Sequence, residues 1–259
     1  MNIETSFIAI SVILAIGSIQ ASVENILLFA KFPAIANHRL DQGVLKSNIA
    51  RRSKFLYNSP GIWILTVASL LAGLWLLIGA IFSITPVSAI VILLLTDVMG
   101  FVRWKYLPIS DLPLRRFILM GLLAHLLLDS LAISNFILLS ISFLLCLIYF
   151  AAAFNKLNDE NWKNGKTITS FLINKSPPKP LLKWIGYTVI LFQISFFVGL
   201  TNLKVATLFL FIGFVFHFYL YIKHQINFFF WTFLAAYPAF YYVSGNVKPI
   251  LQNILNNIS

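Results

Sequence analysis

Phe150 to Gly165 reads FAAAFNKLNDENWKNG: small and apolar residues carry a helix to the edge of a membrane, and the run ends on Lys156. A polar segment with one large aromatic, Trp162, follows at once. Lysine is costly in hydrocarbon, where desolvation favours the neutral amine. A lysine so placed is either an anchor whose head snorkels to the interface or a tuned base.

The rest of the chain supports the membrane reading of that stretch. Of its 259 residues, 59% are hydrophobic and 10% charged, and the mean hydropathy is +0.88, outside the soluble globular range. Apolar runs of roughly 17 to 25 residues recur, the length needed to cross about 30 Å of hydrocarbon. The fold class expected is all-α, a polytopic integral membrane helix bundle. The net charge of +11 raises nucleic acid as a partner. The basic residues lie between apolar runs rather than on a patch, so the lipid bilayer is the expected partner and nucleic acid is not.

Eight spans are expected, at about 6–28, 61–83, 87–106, 115–131, 133–154, 183–201, 204–222 and 228–244. Taken as one helix, the fourth and fifth would measure roughly 55 Å, too long for one crossing, so Asp129 and Ser130 mark a turn. Pro108 and Pro113 punctuate the loop before the fourth span. Seventeen of the nineteen Lys and Arg residues then fall on one face, in segments 31–60, 103–116 and 154–183 and at Lys223; only Lys204 and Lys248 fall on the other. The positive-inside rule places the long basic loops in the cytoplasm and both termini outside, in a plasma or inner membrane. The N-terminus has no basic region ahead of its apolar run and reads as a retained first span. Connections of about 30 residues cannot bury a core of their own. Residues 1–259 therefore read as a single transmembrane domain with no soluble domain, and the tail 245–259 reads as an interfacial amphipathic helix. The single cysteine, Cys146, lies in an apolar run and excludes disulfides within the chain.

Ionisable residues at membrane depth face the bundle interior or water. Asp97 falls near the middle of the third span, His125 near the middle of the fourth, and His217 near the cytoplasmic end of the seventh. Lys156 lies at that same end, so Lys156, His217 and Asp97 are candidates for one shared cavity. Simpler readings stand beside these: Lys156 and Arg103 as snorkelling anchors, His217 as a bridge between helices, Asp129 as a solvated turn residue. Glu24 marks the exit of the first span, and His224 is expected at the interface. A mid-span carboxylate such as Asp97 needs a partner or a proton. The aromatic stripe from Phe228 to Trp231, with Tyr237, Phe240, Tyr241 and Tyr242, can line a ring-shaped ligand or form an interfacial belt.

Two motifs carry a resemblance. The first is an apolar helix, then Lys156 and Leu157, then Trp162 and Gly165. The second is His217 within a span, then Asn227 to Trp231 opening the next, then TFLAAYPAFYY. In this order they resemble the vitamin K-dependent gamma-carboxylase-like family, the HTTM (horizontally transferred transmembrane) domain, over about residues 60–244. The spacing from Lys156 to Trp162 is similar to that of the small bacterial members.

The resemblance implies Lys156 as the catalytic base and His217 as the stabiliser of developing negative charge. Asp97, His125, Trp162 and Trp231 become candidates for the pocket. In the animal branch the matching lysine deprotonates vitamin K hydroquinone, so a reduced quinone is the cofactor the resemblance implies. The animal enzymes carry a large lumenal domain with no counterpart here, and Asn227 stands where a glycine is usual. The small bacterial members are associated with maturation or export of secreted peptides, which implies a peptide substrate. The residues leave open a membrane enzyme, a non-catalytic partner of a soluble cytoplasmic subunit, and a small-molecule transporter.

Overall fold

The structure, a computed structural model, describes residues 1–32, 59–103, 111–171, 178–224 and 227–258. The basic positions Arg39, Lys46, Arg51, Arg52, Lys54, Lys105 and Lys175, together with Pro108, lie outside the described residues, as do the side chains of Arg103, His224, Asn227 and Phe228.

Among the described residues the chain is helical without strands. The first helix, α1 (Ile3–Lys31), begins where Asn2 accepts a hydrogen bond from the Thr5 amide at 2.7 Å, which satisfies one of the free donors of the first turn. α2 (Ser59–Ile81) leads through a tight turn into α3 (Val87–Arg103). α4 (Asp111–Leu128) follows, and Asp129, in the left-handed region at φ 36°, ends it. Ser130 then caps α5 (Leu131–Asn158), so the chain breaks where the length argument requires.

Two short helices, α6 (Glu160–Lys163) and α7 (Lys166–Phe171), form an elbow, and α8 (Lys179–Ser195) tightens into a 3-10 turn at Phe196–Thr201. The last two helices are α9 (Leu203–His224) and α10 (Asn227–Ile258). α10 bends at Asn246, whose φ of −135° is not helical.

Five described helices are long and apolar enough to cross a membrane: Ile3–Lys31, Pro60–Ile81, Leu131–Asn158, Pro180–Thr201 and Leu203–Lys223. This makes a multi-pass membrane protein. The other three expected spans are also helical, but each departs from a simple apolar rod. The apolar part of α3, Val87–Met99, is shorter; α4 carries Asp111, Arg115 and Arg116 in its first two turns; α10 carries Pro238 and Pro249 within it and several asparagines in its last third.

α10 occupies the centre, packed against α1 on one side and α5 on the other. Its Ala235, Ala236 and Ala239 are fully buried, and small residues there allow close helix approach. Gly17 of α1 lies against the Trp231 side chain, where any larger residue would clash. By contrast α9 turns Leu208, Phe211, Val215 and Ile222 outward, a face suited to lipid rather than water. Beyond the bend, Ile250 is buried and the Asn253 carboxamide pairs with Asn135 of α5 at 3.4 Å, so one flank of the tail packs onto the bundle.

Candidate functional site

Tyr149 and Lys156 lie seven residues apart on α5. That spacing puts them on one helix face, separated by two turns or about 10 Å of rise. Lys156 is half-buried near the C-terminal end of the helix, where the free carbonyls favour a cation. Its Nζ donates to the Ala152 carbonyl at 3.3 Å and sits 4.9 Å from the centre of the Trp162 ring. That places the amine over the face of an aromatic ring, an attractive position for a cation.

The elbow positions Trp162. Asp159 caps α6 by accepting from the Asn161 amide at 2.9 Å, and Gly165, at φ 76°, reverses the chain toward α7 while packed against Leu182 of α8. A left-handed residue in close contact with its neighbour is a position only glycine fills without strain. Among the described residues no carboxylate pairs with Lys156. Lys163 differs: it donates to Glu160 at 2.8 Å, and that bond holds its ammonium above the ordinary lysine range.

His217 of α9 reaches the same face of α5 two turns deeper. Its Nε2 lies 2.7 Å from the Tyr149 hydroxyl, which is itself 3.5 Å from the Tyr237 hydroxyl. Phe216, Phe229 and Phe233 surround the imidazole at centroid distances of 5.4, 5.1 and 4.7 Å, and Phe196 stacks on Tyr149 at 4.1 Å. His217 is 3% exposed, and its Nδ1 has no hydrogen-bond partner among the described residues. A buried polar atom left unpaired costs about 1–3 kcal/mol and calls for an explanation. Gln193 presents a second such atom, its Oε1, from α8 beside Phe192, whose ring meets Tyr149 edge-on.

The other expected pocket residues are engaged elsewhere. Asp97 accepts from Arg115 Nε at 2.5 Å; Arg115 also donates to Ser18 Oγ at 2.9 Å, and Arg116 reaches the Asp97 carbonyl at 3.4 Å. This cluster joins α1, α3 and α4, whereas the His217 group is built on α5, α9 and α10. Asp97 therefore takes its partners from the opposite half of the bundle, and the three-residue grouping with Lys156 and His217 is not what the contacts form. Arg115, counted with the loop 103–116, is 1% exposed inside the bundle because Asp97 and Ser18 receive its donors.

His125 stacks on Phe7 at 3.8 Å, with Nδ1 2.7 Å from Ser134 and Nε2 3.7 Å from Glu4. Trp231 donates to Gln20 at 2.6 Å, and Gln20 donates in turn to Glu24 and Tyr221. Of the four expected pocket residues, Trp162 is the one that meets Lys156. The stripe is turned inward in part, with Phe230, Tyr237 and Phe240 buried. Among the described residues no group of three or more His, Cys, Asp or Glu is gathered as a metal site.

Tyr149, Gln193 and Arg115 are buried polar residues beyond those expected from the sequence. Arg115 had a signal, since the mid-span carboxylate at Asp97 demanded a partner from a neighbouring helix. Tyr149 stands in an apolar run without any local mark, whereas Gln193 had one as a polar amide within an apolar span. The chain matches no family model, no curated protein and no solved structure.

Proposed function

We propose that this is a membrane protein of the vitamin K-dependent gamma-carboxylase-like, HTTM type, acting on a peptide or a quinone through Lys156 in the maturation of a secreted peptide. One observation carries the reading. A half-buried lysine without a carboxylate partner among the described residues lies over Trp162, on the helix face that two turns deeper holds Tyr149 and His217. An amine that no carboxylate holds as an ammonium is suited to accept a proton. A buried imidazole with an open Nδ1 is suited to donate to developing negative charge.

That open Nδ1 among aromatic rings also suits an oxygen of a ring ligand; a reduced quinone would supply one there, beside Phe229 and Phe233. In this reading all eight helical segments cross the membrane, with the basic loops cytoplasmic and both termini outside.

The test is comparative mass spectrometry of secreted and membrane peptides from cells expressing the intact chain, Lys156→Met or neither. A peptide whose mass or abundance changes with Lys156 supports lysine-dependent maturation and identifies the substrate. If Lys156→Met matches the intact chain while the deletion does not, the chain is a non-catalytic partner and Lys156 an anchor.

A further inference from the structure

We propose that Tyr149 is the positioning residue of this site. Its hydroxyl donates to His217 Nε2 and thereby holds the imidazole in the tautomer whose proton sits on Nδ1. The inference rests on the functional reading for its purpose, but its geometry stands apart from it.

The proposed direction of the bond draws on the two neighbours of the Tyr149 hydroxyl. It lies 2.7 Å from an imidazole nitrogen and 3.5 Å from the Tyr237 hydroxyl. A phenol has one proton to give, and an unprotonated ring nitrogen is a more basic acceptor than a second phenol. With Nε2 bare, as proposed, the short contact is the donated one, and Tyr237 is left to donate weakly to Tyr149 in turn. A neutral imidazole that accepts at Nε2 must carry its proton on Nδ1.

The Nδ1 proton has no acceptor among the described residues, although the ring is buried among Phe216, Phe229 and Phe233. The ligand class this suits is an uncharged or anionic oxygen acceptor, a carbonyl or an alkoxide, carried on an apolar body. Phe196, stacked on Tyr149 at 4.1 Å, keeps the phenol from swinging away, so the tautomer is set by packing on α5 and the 3-10 turn rather than by α9 itself.

The experiment is nitrogen-15 NMR of the histidine rings in the full chain, labelled at histidine and held in lipid nanodiscs. The chain has four histidines, and His217→Gln identifies the signals that belong to His217. The expected result is a proton on Nδ1 and a bare Nε2 in the wild type, with loss of that single tautomer in Tyr149→Phe and its retention in Tyr237→Phe. A proton on Nε2 in the wild type, or an unchanged His217 spectrum in Tyr149→Phe, overturns the proposal. The wild-type spectrum decides the direction of the bond even if Tyr149→Phe does not fold. Failure of the functional reading looks different: Lys156→Met leaves the peptides unchanged while His217 still carries its proton on Nδ1.

Discussion

Two halves of the bundle hold their buried ionisable groups differently. Around α1, α3 and α4, Asp97 and Arg115 neutralise each other and Ser18 takes up a further guanidinium donor, while the Ser11 hydroxyl has no partner among the described residues. Around α5, α8, α9 and α10, His217 and Gln193 each keep one polar atom without a partner among the described residues, and Lys156 meets an aromatic ring and no carboxylate among them. A group whose partners are complete is explained by the fold. Groups left incomplete in a low-dielectric interior are costly unless something else completes them. The ion pair of the first half reads as structure; on the function proposed above, the second half is where the ligand binds.

The largest effect should come from breaking the completed half. Arg115→Leu removes the ion-pair partner of the buried Asp97 carboxylate, and should destabilise by about 3–5 kcal/mol; Asp97→Leu combined with Arg115→Leu should recover much of that loss. Thermal unfolding in detergent reads both, and a double variant no better than the single would break the comparison. In the other half, Tyr149→Phe with His217→Leu removes both partners of one hydrogen bond together. It should shift stability by no more than about 1 kcal/mol in the same assay, since replacing both groups with apolar ones is nearly neutral. A loss as large as that of Arg115→Leu would make the His217 pair structural as well. The smallest effect belongs to Lys163→Met. Its partner Glu160 is exposed, and the melting profile and the peptide output should both match wild type.

Much of the helical framework could be read from the chain alone. Apolar runs near spanning length marked every long helix, and the limit on one crossing placed the break at Asp129 and Ser130, where α4 ends and α5 is capped. What periodicity and spacing do not carry is which side chains meet. Arg115 sits among loop charges in the sequence, and only packing of α4 against α3 brings it to Asp97. Tyr149 is one aromatic in an apolar run, and its hydrogen bond spans 68 residues to His217. Trp231 stood as a pocket candidate because it opens a span after His217, yet Gln20, from the other end of the chain, takes its indole donor. The tail 245–259 has the spacing of an interfacial helix; that Ile250 and Asn253 also reach the bundle depends on the bend at Asn246.

The most direct test of the account is the peptide output of Lys156→Arg, read by mass spectrometry and normalised to folded protein, beside Lys163→Met as the control. Arginine keeps the charge and the attraction to Trp162 but stays protonated, so it cannot accept a proton. The expected result is that Lys156→Arg loses the output as completely as Lys156→Met. Wild-type output from Lys156→Arg would contradict it and leave Lys156 a cationic anchor at the end of α5.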